Sequence, residues 1–310
     1  KMYTKGVSSV LDYSVEGKEE EAQFDAALAM TLKTIEFAKE RQAIPFAVFK
    51  PTGLGRLDLY QKVGSKATLT DSEKDEWDRV VDRFDLVCKT AQFKDVALLI
   101  DAEESWMQDA ADDLVAQMMQ KYNKEKAIVF NTLQMYRWDR LDYLKQLHQK
   151  AKEEGFYIGM KIVRGAYMEK ENARAEAKGY PTPICPSKEA TDANYDAAVL
   201  YMMEHLETMA IFAGTHNESS SYALMNLMQE RNIKTNDERI WFGQLYGMSD
   251  NISYNLAANR FNVAKYLPFG PVKDVMPYLI RRAEENTSVA GQTSRELSML
   301  KAERNRRKAL

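Results

Sequence analysis

The sequence has little of what builds most compact chemical devices. Only two of its 310 residues are cysteine, Cys88 and Cys185, far apart and in no metal-like spacing. A disulfide framework and a thiolate metal site are therefore excluded, and two idle thiols of a reducing compartment are expected. Histidine is as scarce, with three residues, His148, His205 and His216, again in no metal-ligand spacing. His148 and His205 fall in helix-like stretches and read as structural. His216 follows Thr215 at the end of a strand-like run and is retained as a candidate. Long hydrophobic runs are absent: "VALLI" (96–100) is typical of the longest, far below the roughly 20 apolar residues that cross a bilayer as a helix. No charge of one sign dominates, since 43 Lys and Arg face 46 Asp and Glu for a net −3, which gives no electrostatic case for nucleic acid. A phosphate-cradling GxxxxGK[ST], an HExxH, a low-complexity linker, a short repeat and a secretory signal are missing too. "GLG" (53–55) follows a strand-like run, but Asp58 stands where a dinucleotide fingerprint needs its third glycine. The chain begins at Lys1 rather than Met, as a processed or truncated product would.

What is present is alternation. With 45% hydrophobic and 29% charged residues the chain has an ordinary globular composition. Strand-like runs occur at 7–13, 44–50, 96–103, 127–134, 157–164, 209–215, 239–245 and 262–268. Helix-like stretches separate them at 20–41, 72–92, 105–122, 138–154, 189–207, 219–231 and 249–260. Eight strands alternating with helices predict an α/β protein, a (β/α)8 barrel, with residues 1–310 as one domain. Barrel active sites lie at the C-terminal strand ends. Lys50, Asp101, Gln134, Arg164, Thr215 with His216, Gln244 and Tyr266 stand at those ends, where a strand buried on both faces would be apolar. They are expected to converge on one bowl.

The stretch 272–287, "VKDVMPYLIRRAEENT", predicts a last helix. Val272, Val275, Met276, Leu279, Ile280 and Ala283 form an apolar stripe, with Asp274 as N-cap and Pro277 in the first turn. Tyr278, Arg281, Arg282 and Glu285 share a different arc of roughly 100°. As a solvated face, its Arg–Glu pairs would contribute only about 0.2–0.5 kcal/mol each. As a carboxylate site, two rigid guanidinium forks would grip one small carboxylate over the barrel mouth, with Tyr278 as a wall and Glu285 holding an arginine.

"YLPFGPVKDVMPYLIRRAEEN" (266–286), "GMKIVRGAYMEKENARA" (159–175), "IDAEES" (100–105), "GTHN" (214–217) and "FGQLYGMSD" (242–250) together resemble the proline dehydrogenase family, the flavoenzymes of proline catabolism. The likeness runs from about residue 7 to 300. It is greater to the monofunctional, mitochondrial-type branch than to the barrel of the large bifunctional bacterial protein. The resemblance implies a (β/α)8 barrel holding non-covalent FAD. The expected reaction is oxidation of L-proline to Δ1-pyrroline-5-carboxylate by hydride transfer to flavin N5, with electrons passed to a membrane quinone. Peripheral membrane association is implied, at the bacterial inner-membrane face or on the matrix side in mitochondria.

The resemblance also implies roles. Arg281, Arg282 and Lys50 match the groups that bind the proline carboxylate, and Glu285 the glutamate that supports the arginines. Tyr167, Leu245, Tyr266 and Tyr278 match the walls around the pyrrolidine ring. Asp101 matches the aspartate at the bottom of the site, with Lys161 beside the flavin N5. Gln134, Val163, Arg164, Gly165, Ala166, Thr215, His216 and Gln244 match flavin contacts, and Lys188 a contact to the adenosine part. Two positions depart from relatives: Lys161 replaces an arginine, and Met168 replaces a tryptophan of the bifunctional branch. Asp101 reads equally as an ion-pair partner of Lys50 or Lys161, and Asp101 and Glu285 are both candidate proton acceptors. Tyr266 would crowd a ring hydroxyl and so favours proline over hydroxyproline. The alternatives are a hydroxyproline dehydrogenase, a Schiff-base lyase using Lys50 or Lys161, and an inactive ligand-binding barrel.

Overall fold

The structure is a computed structural model, and it describes residues 1–14, 18–273, 275, 276, 279, 280 and 292–308. Eight parallel strands close into a barrel in sequence order: β1 (Val7–Tyr13), β2 (Phe46–Phe49), β3 (Ala97–Ile100), β4 (Val129–Gln134), β5 (Ile158–Val163), β6 (Met209–Gly214), β7 (Ile240–Leu245) and β8 (Val263–Phe269). The last strand pairs with the first, Val10 opposite Tyr266, so no sheet edge is left open. Each strand lies within two or three residues of its expected place. This is the (β/α)8 architecture the alternation predicts.

Side chains alternate across each strand, and that period of two sorts the barrel. Outward residues such as Ala47, Leu98, Val129, Ile158, Ile211 and Phe242 pack under the helices in the main core. Inward residues Val10, Phe46, Val48, Leu99, Phe130, Phe212, Ala264 and Tyr266 form a second, separate core. Phe46 is its hub, meeting Phe130, Phe212 and Trp241 edge-on at 5.2–5.8 Å between ring centroids. A Cβ on Gly243 would come within 2.1 Å of the Phe212 ring, so glycine there is a packing requirement. The lower barrel is thus filled by aromatic rings. Continuing the same inward parity, the next residues up are Asp12, Lys50, Asp101 and Lys161. Their position above an apolar plug follows from strand register alone.

The helices are α1 (Glu21–Lys39), α2 (Leu57–Gly64), α3 (Asp71–Lys94), α4 (Ser105–Tyr122), α5 (Arg140–Glu154), α6 (Met168–Lys178), α7 (Lys188–Glu204), α8 (Glu218–Glu230), α9 (Asp250–Ala258) and, at the C-terminus, α10 (Gln292–Lys308). Starts are set by local chemistry: Thr70 and Glu73 form a capping box on α3, and the side chains of Ser187 and Asn217 cap α7 and α8, each cap contributing about 1 kcal/mol. His205 lies just past α7 rather than inside it. His148 is buried on α5 between the Tyr201 hydroxyl (2.8 Å) and Thr208 Oγ1 (3.2 Å), and burial, with the charge of Lys152 adding to it, lowers its pKa to about 4. It is a neutral structural residue, as its helical setting suggests.

Three helices were not expected, α2, α6 and α10. The last helix expected at 272–287 is met at its described residues. Residues 272, 273, 275, 276, 279 and 280 are helical, but of the stripe's described residues only Val275 is buried. Val272, Met276, Leu279 and Ile280 are exposed. Val275 approaches Gly270 and is the one apolar group of the five that finds the barrel. Asp274, Pro277, Tyr278, Arg281, Arg282, Ala283 and Glu285 lie outside the described residues.

Candidate functional site

At the C-terminal ends of the strands lies a cavity of about 920 Å³. Lys50, Asp101, Gln134, Lys161, Val163, Arg164, Gly165, Ala166, Tyr167, Lys188, Thr215, His216, Gln244, Leu245 and Tyr266 all line it. Every described candidate residue therefore meets in one place. Met168 lies on the half-exposed rim and does not line the cavity. Sequence reasoning missed Asp12, Thr132, Phe212, Met248 and Met299, which also line it. A signal for Asp12 existed: it is the polar residue near the end of a strand, on the same parity as Val10.

The floor is a chain of alternating charges. Asp101 stands between two lysines: Lys50 Nζ donates to its Oδ2 at 3.0 Å and Lys161 Nζ to its Oδ1. Lys50 Nζ also lies 4.0 Å from Asp12 Oδ2. Lys161 donates in addition to the Tyr266 hydroxyl at 3.1 Å, with its ammonium 4.8 Å from that ring's centroid. Burial alone would push the Asp101 carboxyl up, but the charges of Lys161 and Lys50 outweigh it and hold the pKa down at about 2. Burial lowers Lys161 despite the pull of Asp101. Asp12 is driven the other way: burial raises it, Lys50 opposes, and the neighbouring charge of Asp101 raises it further. The open question about Asp101 thus has a structural answer, since it pairs with both lysines at once.

The wall is built from loops that lock one another. Gln134 Nε2 donates to the Glu103 carbonyl at 2.7 Å, and its Oε1 accepts from the Ala166 N–H at 3.2 Å. Glu103, fully buried, accepts from the Thr52 N–H (2.8 Å) and hydroxyl (2.6 Å) just beyond Lys50. Burial nevertheless raises its pKa to about 8. Gln244 donates to the Thr215 carbonyl at 3.2 Å and accepts from Ser253 Oγ at 2.9 Å, and His216 Nδ1 lies 2.9 Å from Ser249 Oγ. Toward the rim, Arg164 donates to Asp192 (2.6 Å), Thr215 Oγ1 (2.8 Å) and Ser220 Oγ (3.0 Å). Lys188 donates to the other oxygen of Asp192 at 2.6 Å. Two cations thus flank the N-termini of α7 and α8, where backbone N–H groups favour anions.

Gly165 holds the turn after β5. Its φ is +137°, and a Cβ would come within 2.5 Å of the Tyr136 ring. Gly165→Ala is expected to lower stability by about 1–3 kcal/mol, the range for a residue forced into a Gly-only conformation. Chemical denaturation of the variant beside the wild type checks this.

Among the described residues no group of His, Cys, Asp and Glu is arranged to hold a metal, and no helix is long and apolar enough to cross a membrane.

This geometry has relatives. A family model described as proline dehydrogenase matches residues 1–295. The chain belongs to the proline dehydrogenase family. The carbapenem antibiotics biosynthesis protein CarD of Pectobacterium carotovorum subsp. carotovorum is 38% identical over 303 residues, covering 97% of this chain and 78% of that one. Human mitochondrial proline dehydrogenase 1 is 40% identical over 241 residues, covering 77% of this chain and 40% of that one. The chain thus spans less than half of that mitochondrial relative. Among solved structures, proline utilization A from Bdellovibrio bacteriovorus, inactivated by N-propargylglycine, superposes with a TM-score of 0.81 at 22% identity, over 93% of this chain and 31% of that one. At that identity the superposition establishes the barrel fold alone. The family places this chain among the oxidoreductases.

Proposed function

We propose that this enzyme oxidises L-proline to Δ1-pyrroline-5-carboxylate, with non-covalent FAD held in the cavity. The observation that carries the reading is the paired-lysine floor around Asp101, set beneath a large cavity in a chain of this family. The residues present fit a flavin dinucleotide. Arg164 and Lys188 beside two helix N-termini suit a pyrophosphate. The amides of Gln134 and Gln244 suit the polar edges of a flat ring, and Val163, Ala166 and Leu245 suit its apolar faces. Gly165, Thr215 and His216 complete that side. When bound, FAD supplies the oxidant that accepts a hydride from the substrate's ring C5.

The chain's own residues position and neutralise. Lys50 with Arg281 and Arg282 would hold the substrate carboxylate, and Glu285 would support the arginines. Tyr266, Tyr167, Leu245 and Tyr278 would wall the ring and exclude water. Lys161 brings a cation to the reacting edge, and Asp101 fixes Lys50 and Lys161 relative to each other, the kind of alignment on which rate depends. The Tyr266 hydroxyl is turned toward Lys161, which supports proline over hydroxyproline. A membrane quinone is the proposed electron acceptor. With it goes peripheral attachment at a bacterial inner membrane or, as the names of several relatives suggest, inside mitochondria.

The test is an anaerobic absorbance spectrum before and after substrate. Flavin bands that bleach with L-proline, and not with equal hydroxyproline, are expected. Bands that bleach better with hydroxyproline change the substrate, and a colourless protein that takes up no added FAD ends the flavoenzyme reading.

A further inference from the structure

The floor holds two carboxylates, and they are in different states. Asp101 has both oxygens committed to ammonium groups. It is the counter-ion of two lysines, and adding a proton would break both pairs. Asp12 is 1% exposed and lines the same cavity. Its Oδ2 accepts from Ser14 Oγ at 3.0 Å and lies 4.0 Å from Lys50 Nζ. Its Oδ1 is buried and accepts no hydrogen bond from any of the described residues. A buried carboxylate oxygen without a donor costs about 1–3 kcal/mol or more, so the site is incomplete as it stands. A donor that enters the cavity would complete it.

We infer that Asp12 Oδ1 is the partner of the substrate's secondary ammonium and the acceptor of its proton. This rests on the proposed proline reading. The proton transfer balances simply: one N–H bond of the ring ammonium breaks, its electron pair stays on nitrogen, and an O–H bond forms on Oδ1, leaving a neutral amine and a neutral carboxylic acid. The free amine is the form from which a hydride can leave the adjacent carbon. The surroundings suit the role. The described groups facing Asp12 are Ser14 just past its own strand, Lys50 from beyond β2, Asp101 from beyond β3 and Lys161 from β5. Burial and the Asp101 charge raise its pKa above the ordinary aspartate value, against the pull of Lys50 and Ser14, and a base that titrates closer to the working pH is the more effective one.

The decisive variant is Asp12→Asn in the FAD-loaded enzyme. A positioned base is worth roughly 100-fold or more in rate, so kcat/KM for proline should fall by at least about that factor. The remaining rate should climb with pH as solvent, rather than Asp12, deprotonates the amine. Calorimetric binding separates the amine subsite from general damage: proline should bind about tenfold or more weakly, while cyclopentanecarboxylate, with the ring and carboxylate but no nitrogen, should bind within threefold of wild type. Equal weakening of both ligands, or a kcat/KM within threefold of wild type, overturns the assignment. Ser14→Ala gives an independent reading if Asp12→Asn does not fold. Removing a hydrogen bond that lowers the Asp12 pKa should move the acid limb of kcat/KM to higher pH, and an unmoved limb assigns that limb elsewhere and overturns the proposal. Wild-type protein whose flavin is not reduced by proline instead ends the proline reading and takes the Asp12 role with it. Active wild type with an indifferent Asp12→Asn ends the Asp12 role alone.

Discussion

Replacing Asp101 by Asn should destabilise the protein by about 3–5 kcal/mol, the cost of stranding a buried charge whose partner is removed. Two charges are stranded here, because Lys50 and Lys161 both pair with this carboxylate and are buried. Lys50 can fall back on Asp12, which lies 4.0 Å away. Lys161 retains only the neutral Tyr266 hydroxyl among the described groups it donates to. Loss of charge on Lys161 is therefore the expected relaxation, in the direction burial already pushes it. The sign of the pH effect follows from the lowered Asp101 pKa, 3.8 moved down to about 2. Its stabilisation is full above pH 4 and disappears as pH falls through 2. Wild type should lose stability across that window more steeply than Asp101→Asn, and the two curves should converge at its acid end. Urea unfolding at several pH values measures this, and equal m-values would show that the variant changes stability rather than compactness. A difference below about 1 kcal/mol at neutral pH would mean that Asp101 is not the anchor of the floor. Activity should fall as well, since Asp101 pairs with both Lys50 and Lys161.

How much of this was legible in the sequence depended on the range of the interactions. The strands were legible because each is a short apolar run ending in polar residues, a signal contained within eight residues. Val7–Tyr13 has the same bounds in the structure as in the expectation. The convergence of Lys50, Asp101, Gln134, Arg164 and Tyr266 followed from one rule about barrels. Helix α6 was not legible. "MEKENARAEAK" has no apolar stripe and buries only Glu171 and Ala175. It is fastened by long-range contacts: Glu171 accepts from the Ser105 N–H and hydroxyl at 2.6 Å each, and Arg174 lies 4.4 Å over the Trp106 ring. Helix α2 was hidden by the turn residues Pro51, Gly53 and Gly55 just before it, which read as a loop. The stripe's described residues show the opposite case, a helical period that is present although only Val275 among them is buried. Periodicity states which residues share a face and leaves open what that face meets. Roles drawn from the resemblance belong to a further level. The structure brings fifteen of those residues to one cavity, and only kinetics tests what each does there.

The other large effect is expected at Arg281 and Arg282. The charge count of the floor makes the case for them. Two lysines there face two aspartates, so with Asp12 ionised the described floor offers a substrate carboxylate no net positive charge. Lys50 alone cannot neutralise it while sharing its charge with Asp101 at 3.0 Å. Further cations are needed, and the sequence supplies two adjacent guanidiniums whose planar forks match a carboxylate. Arg281→Met or Arg282→Met should each cost about 2–5 kcal/mol in kcat/KM, as for truncating one partner of a desolvated charge pair. The loss should appear mainly in KM if the arginines hold carboxylate equally in the ground and transition states. It should enter kcat if their grip also sets the distance from C5 to the cofactor. Arg→Lys at either position keeps the charge without the fork and should recover only part of the loss. The double variant should cost less than the sum, because both forks act on one carboxylate. Losses under threefold in both single variants would return this pair of arginines to the reading of a solvated face, and the carboxylate would then need a different set of cations.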